Sequence, residues 1–105
     1  MIGYASPIHY SKLLNLNAGQ TSQIAQFTAD SDMGLYGYVS NAKSNDLEVY
    51  IQRGSDIILV SSDIDCILRY PIKLAINGEQ ITIYVKAKNY ISNFDYHLVL
   101  YTYVE

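Results

Sequence analysis

Residues 71–88 read PIKLAINGEQITIYVKAK, and this stretch indicates the class of fold. Two runs of alternating apolar and polar residues flank Asn77-Gly78, the dipeptide that best adopts the two positive φ angles of a type I′ hairpin turn. A two-residue hairpin would place the apolar side chains of the two runs opposite each other, in the pairs Leu74–Ile81, Ile72–Ile83 and Tyr70–Val85. One face of the pair is then apolar and the other polar, so the stretch predicts an antiparallel hairpin that covers a core on one side.

Strand patterns recur at short spacing through the rest of the chain, in residues 12–17, 23–29, 34–40, 46–52, 57–61, 64–70 and 95–104. No window of twelve residues keeps the spacing of a helical apolar stripe. About eight short strands in one small chain are typical of two packed antiparallel sheets. The sequence therefore predicts an all-β fold, a single antiparallel β-sandwich of the jelly-roll type over residues 12–105.

Three positions refine this prediction. Gly37 lies inside a strand pattern, where glycine commonly marks a bulge or a close approach of two backbones. Pro71 has no N–H to donate, which predicts an edge, a bulge or a corner between sheets on one side of its strand. The last strand is apolar on both faces, so it is either central or covered by a partner on its outer face.

Residues 1–11, MIGYASPIHYS, predict an extended N-terminal arm. Gly3, Ser6 and Pro7 interrupt regular structure, yet the arm is more apolar than a solvated tail. Its anchors would be Ile2, Tyr4, Ile8 and Tyr10. The arm either packs back on its own domain or docks on a neighbouring subunit.

Composition and charge exclude several function classes. The net charge of −3 and the absence of a basic cluster beyond Lys86 and Lys88 argue against nucleic-acid binding. The single Cys66 excludes an intramolecular disulfide and a cysteine-rich metal site. Residues 57–60 form the longest apolar run, which is too short to span a membrane, and the first ten residues do not resemble a signal peptide. We therefore expect synthesis in a host cytoplasm without export.

The sequence holds little catalytic chemistry, and we expect no enzyme activity and no cofactor. His9 and His97 are the only imidazoles, and no Gly-x-Ser-x-Gly elbow, glycine-rich phosphate loop or metal-binding histidine spacing is present. The pairs Asp30/Asp32 and Asp63/Asp65 are either turn formers or oxygen ligands for Ca²⁺. Three outward tyrosines, Tyr36, Tyr38 and Tyr50, either pair across strands or offer a surface to sugar rings.

Part of the chain resembles the pre-peptidase C-terminal domains of bacteria. The resemblance is carried by Asp46-Leu47-Glu48-Val49-Tyr50-Ile51, by the strand at residues 81–85 and by Asp95-Tyr96-His97-Leu98-Val99-Leu100. It implies a β-sandwich module of the kind appended to secreted proteases. The chain departs from that pattern because it has no Gly-Thr-Tyr-Tyr run.

As a class, the chain also resembles the small cement or decoration proteins of tailed-phage capsids, through its size, its acidic and Tyr-rich composition and its apolar arm. This resemblance implies a structural protein on the capsid surface of a virion that binds the major capsid protein. It also implies self-association, as a trimer rather than a dimer. The predicted interface residues are the four arm anchors and the outer face of the last strand, Val99, Tyr101 and Tyr103. The alternative is a carbohydrate- or protein-binding module, stabilised by Ca²⁺ in the Asp turns.

Overall fold

The computed structural model describes residues 6–43 and 46–105, and this part of the chain contains eight β-strands and no helix. The strands are β1 (Ser6–Leu16), β2 (Thr21–Thr28), β3 (Met33–Ser40), β4 (Leu47–Arg53), β5 (Asp56–Ser61), β6 (Cys66–Ala75), β7 (Gln80–Ala87) and β8 (Ile91–Val104). They form two antiparallel sheets, sheet I in the order β1-β8-β3-β6 and sheet II in the order β2-β7-β4-β5. The predicted all-β sandwich is confirmed.

The order of the strands is that of a jelly roll. Every connection between consecutive strands passes from one sheet to the other, except the hairpin between β4 and β5. The two sheets therefore interleave along the chain, as in the double Greek key of jelly-roll domains. β1 and β2 contact each other at one side of the sandwich, so β6 and β5 form the opposite side.

The predicted hairpin at Asn77-Gly78 is wrong, because β6 and β7 belong to different sheets. Gly78 has a φ of 93°, whereas Asn77 does not have a positive φ, and the N–H of Glu79 donates to the carbonyl of Ile76 at 3.1 Å. These are the features of a type II turn rather than a type I′ turn. Leu74 and Ile81 face each other across the core rather than side by side in one sheet, and both arrangements give the same apolar alternation.

The hairpin that the structure contains has a two-residue turn at Gly54-Ser55. Arg53 pairs with Asp56, and Gly54 has a φ of 57°. A positive φ at the first central residue alone is the signature of a type II′ turn, whose twist matches that of the flanking strands. The gap between the strand patterns predicted at residues 46–52 and 57–61 is therefore closed by a tight turn. In the described part of the chain, this is the one tight hairpin that joins two consecutive, paired strands.

The core lies between the inner faces of the two sheets. Its fully buried members include Leu35, Ile51, Leu74, Ile81, Ile83, Val85, Leu98 and Leu100. β4 and β7 follow the predicted alternation, with one side chain in two pointing inward. β8 lies between β1 and β3, which confirms the predicted central position, and its outward side chains are half-buried.

Gly37 causes a bulge that reorients half of β3. The register of β3 against both of its neighbours shifts between Leu35 and Gly37, and Gly37 has a φ of 141°. A Cβ at this position would overlap the carbonyl oxygen of Cys66 on β6. The bulge turns Tyr38 into the core, where it is fully buried, so the predicted outward position of Tyr38 is wrong. With Tyr36 on sheet I and Tyr50 on sheet II, the three tyrosines share no face.

Pro71 lies in β6, which is an edge strand of sheet I, as predicted. Residues 66–75 form one continuous strand across Pro71, which joins the strand pattern predicted for residues 64–70 to the first run of the predicted hairpin. Within this strand, residues 68–71 bulge opposite the single residue Tyr36. At the other edge, β1 begins at Ser6, and residues 6–11 pair with β8 rather than extending as an arm. Residues 1–5 of the predicted arm lie outside the described residues.

We expect Gly37→Ala to lower the free energy of unfolding by at least about 3 kcal/mol, because strain at positive φ adds to the overlap with β6. Gly19→Ala is the matched control, since Gly19 also has a positive φ of 87° but open space around it. Its cost should be only about 1–2 kcal/mol. Urea denaturation of both variants checks this, and equal losses would contradict the assignment of a tight backbone approach at Gly37.

Two fully buried tyrosines differ in their hydrogen bonds. The hydroxyl of Tyr38 donates to the carbonyl oxygen of Asp63 at 2.6 Å, whereas the hydroxyl of Tyr96 lies near the Ser40 side chain without a well-aligned hydrogen bond among the described residues. Burial raises the pKa of Tyr38 to about 12 from 10.0, and burial also raises the pKa of Tyr96. Both rings thus favour the neutral form in the folded protein.

We expect Tyr38→Phe to cost about 1–2 kcal/mol and Tyr96→Phe to cost less than about 0.5 kcal/mol or to stabilise, because only the first leaves a carbonyl unpaired. A folded-state pKa above the unfolded value gives a contribution that is present below pH 10.0 and is lost as the pH rises towards 12. Unfolding at pH 8–12 should therefore show falling stability, less steeply in either variant. A pH-independent stability would contradict this.

Candidate interaction surface

The outer face of sheet I carries the predicted residues of the last strand. Val99, Tyr101 and Tyr103 alternate with the buried Leu98, Leu100 and Thr102, and all three outward side chains are half-buried. They lie in the middle of the face because β8 is flanked by β1 and β3. The structure thus brings these three predicted residues together on one surface.

The side chain of Tyr103 packs against residues of its own sheet. Its ring lies over Gly34 on β3, where a Cβ would overlap it, and packs against the Tyr36 ring with centroids 4.9 Å apart. The phenol therefore covers a glycine in the neighbouring strand. Of the three outward residues, Val99 and Tyr101 are the ones for which no such aromatic contact is found in the described part of the chain.

The predicted arm anchors do not join this surface. Ile8 pairs with Leu100 and Tyr10 pairs with Leu98, which places both on the inner side of sheet I. Tyr10 packs against the core, and burial raises the pKa of its hydroxyl. Ile2 and Tyr4 lie outside the described residues. Ile8 and Tyr10 thus cover the β1 side of the sandwich. This matches the alternative in which the arm packs on its own domain.

A chain of polar side chains on the same outer face was missed from the sequence. His9 Nε2 lies 2.8 Å from His97 Nδ1, with the rings stacked at 5.0 Å, and His97 Nε2 lies 3.0 Å from Asp95 Oδ2. If His97 donates to Asp95, its Nδ1 accepts a hydrogen bond from His9. The two histidines are 88 positions apart, and only the β1–β8 register, which sequence spacing does not reveal, brings them together.

The exposed large apolar side chains concentrate in β5, in β6 and in the segment between them. They lie on more than one face, because Ile57 and Val60 pair with outward residues of sheet II, whereas Ile67 lies on the outer face of sheet I. Five of the nine exposed large apolar side chains in the described residues belong to residues 57–70, namely Ile57, Val60, Ile64, Ile67 and Tyr70. Ile67 is 60% exposed and Tyr70 is 72% exposed. We call these five residues the β5–β6 edge. The sequence places these residues in strand patterns and predicts no exposed surface there. The consecutive apolar residues of β5, which occupy both of its faces, were a signal of a contact outside the core.

Edge strands present unpaired backbone groups, and natural proteins usually protect them with charge, proline or a covering segment. β5 has Asp56 at its start and no charged residue in its next five positions. β6 has Arg69 and Pro71 near its middle. An exposed apolar edge of this kind is a template for pairing with another chain.

The aspartate pairs act in turns. Asp32 Oδ1 accepts the N–H of Asn77 at 3.0 Å, and Asp65 Oδ1 accepts the N–H of Ser40 at 3.2 Å. These are the backbone contacts that turn-forming aspartates make. The described residues contain no group of three or more His, Cys, Asp or Glu side chains that would hold a metal ion.

One cavity of about 240 Å³ opens between the turn before β4 and the start of β8. Polar groups from Lys43, Asp46, Ser92 and Asn93 line it beside the exposed ring of Tyr90. An aromatic ring next to amide, hydroxyl and carboxylate groups is a combination that fits a small polar ligand. The cavity is the feature on which a binding function would depend.

Comparisons with protein-family models, with curated proteins and with solved structures found no match to the chain. The resemblances to pre-peptidase C-terminal domains and to capsid decoration proteins stay predictions. In the part of the chain that the structure describes, no helix is long and apolar enough to cross a membrane.

Proposed function

We propose that the protein is a non-enzymatic structural module that self-associates and docks on a larger protein assembly, and that this assembly is the capsid of a tailed phage. The observation that carries the proposal is the exposed β5–β6 edge, where five large apolar side chains lie beside two open strand edges. Apolar patches of this kind on a small domain are typical of surfaces that a partner covers.

The architecture and the composition support the same function. Jelly rolls form viral capsid domains as well as lectins and cupins, so the fold admits a capsid role without selecting it. Only 16% of the residues are charged, and eleven are tyrosines, a residue that is enriched at protein interfaces. The class of decoration proteins that the chain resembles clamps neighbouring capsomers through arms and sheet edges, and the open edges of β5 and β6 are features of the second kind.

The experiment is gradient sedimentation of particles from the cells that produce the protein, with its amount measured against the major capsid protein by mass spectrometry. We expect the wild type in the particle fractions at a fixed ratio. The double variant Ile57→Ser/Val60→Ser should move to the soluble fractions while its circular dichroism stays unchanged, because the two apolar contacts of β5 are lost.

The matched control is Val104→Ser, which removes an equally exposed apolar side chain outside the β5–β6 edge. This variant should stay with the particles. Wild-type protein that is found only in soluble fractions, in cells that contain particles, would contradict the proposed function.

The second candidate is a carbohydrate-binding module, and the cavity beside Tyr90 favours it. In that function a sugar ring would stack on Tyr90 while its hydroxyls bind Asp46 and Asn93, since sugars combine an apolar ring face with hydrogen-bonding edges. The Asp turns would add the option of stabilisation by Ca²⁺.

Under the structural proposal, we expect the melting temperature to be the same with Ca²⁺, with a chelator and with a panel of simple sugars. A ligand that binds only the folded state raises the melting temperature by mass action. A rise with Ca²⁺ that a chelator reverses, or a rise with a sugar that Tyr90→Ala abolishes, would support the second candidate instead. Tyr70→Ala, which removes an equally exposed ring away from the cavity, serves as the control.

A further inference from the structure

β6 offers an open edge with an alternating surface. Along Asp65, Cys66, Ile67, Leu68 and Arg69 the side chains alternate between exposed and half-buried positions, as in an extended strand with one free face. Its inner side pairs with β3, and its outer side has no neighbouring strand in the described sheet. The preceding segment is fixed in place, because Ser40 Oγ donates to the carbonyl oxygen of Ile64 at 2.7 Å.

The sequence of this edge is self-complementary. In the heptapeptide IDCILRY, residues 64–70, Ile67 is the centre, and residues at equal distances from it are matched partners. An antiparallel pair of such strands centred on Ile67 places Asp65 opposite Arg69, twice, and Ile64 opposite Tyr70, twice. Ile67 then meets its own copy on the axis.

We propose that two copies of this chain pair along β6, antiparallel, about a two-fold axis at Ile67. The inference rests on the self-association in the proposed function and names its partner and its register. It joins the two copies of sheet I into one sheet of eight strands, β1-β8-β3-β6 followed by the same order reversed. An isologous pairing of this kind closes as a dimer rather than the predicted trimer.

Charge complementarity identifies the partner as a second copy. Asp65, immediately before β6, and Arg69 within it are exposed, carry opposite charges four positions apart and form no ion pair among the described residues. Within the chain, the Asp65 carboxylate accepts the N–H of Ser40 and the Arg69 guanidinium lies over the Tyr70 ring. Each finds its opposite charge directly across the proposed axis, where cross-strand ion pairs stabilise and like charges destabilise. A one-residue slip would place Asp65 opposite an apolar residue, so the charges also fix the register.

The neighbouring features fit the same axis. Pro71 lies one position beyond Tyr70, so its missing N–H falls outside the paired heptapeptide. β5 lies on the same side of the sandwich as β6, and a two-fold axis normal to the sheets brings the two copies of β5 towards each other. Ile57 and Val60 lie on the outer face of sheet II, so the pairing along β6 leaves them available for docking on another surface.

The test is a charge exchange read by sedimentation over a series of protein concentrations. Wild type should dimerise. Asp65→Arg and Arg69→Asp should each weaken dimerisation at least about tenfold, because each places like charges opposite each other twice. An equimolar mixture of the two variants should restore the dimer, since every facing pair is then of opposite sign. Asp30→Arg, an exposed change of the same charge away from β6, should dimerise like wild type.

A covalent trap gives a second readout that is independent of charge. In a Cys66→Ser background, Ile67→Cys should form a disulfide-linked dimer on mild oxidation, because two residues on the axis lie directly opposite each other. Val104→Cys in the same background should not. A monomeric wild type, a trimer, or a mixture of charge variants that stays monomeric would overturn the proposal. Particle sedimentation of Arg69→Asp distinguishes a failure of the proposed dimer from a failure of the proposed docking. A monomeric variant that still sediments with the particles would leave the docking on a larger assembly standing.

Discussion

Packing between the inner faces of the two sheets is the constraint on which the whole structure depends. Because six of the seven connections between consecutive strands pass to the other sheet, neither sheet can be completed by local pairing. Sheet I needs β1, β3, β6 and β8, which are spread over nearly the entire chain. The shared core of Leu35, Ile51, Ile83 and Leu98 therefore holds together strands that have no tight turn to fix their register.

The bulge at Gly37 links that core to the surface. It turns Tyr38 inward, and the Tyr38 hydroxyl then holds the carbonyl of Asp63, which lies in the segment that leads from β5 into β6. Residues 68–71 of β6 bulge in turn opposite Tyr36. The position and the exposure of the β6 edge are thus consequences of one glycine that allows two backbones to approach closely.

The sequence predicted the class of fold because apolar alternation indicates which side chains face a core. It predicted the alternation of β4, a bulge or a close backbone approach at Gly37, and an edge, a bulge or a corner at Pro71. The structure has both a bulge and a close approach at Gly37, and an edge strand at Pro71. It misplaced the hairpin, since alternation does not distinguish a partner beside a strand from one across the core. Asn77-Gly78 was the stronger turn signal, but only Gly78 adopts a positive φ, whereas Gly54-Ser55 closes the hairpin between β4 and β5.

The candidate surface was harder to predict for the same reason. Val99, Tyr101 and Tyr103 follow from alternation along one strand, and they do share the outer face of sheet I. The contact between His9 and His97 depends on a register between strands at opposite ends of the chain. The β5–β6 edge requires the strand registers, because only the pairing of Ile57 with Gln52 and of Ile67 with Gly37 places these two side chains on outer faces of the sandwich.

The central claim is that residues 57–70 form the surface through which this protein associates, and amide hydrogen exchange along the chain tests it most directly. Exchange is measured at low and at high protein concentration, since edge amides in β5 and β6 gain protection only when another chain covers them. The account predicts slower exchange at high concentration in residues 57–70 and unchanged exchange in β4 and β7. Protection that is independent of concentration throughout residues 57–70, or that increases only in β1, would contradict it.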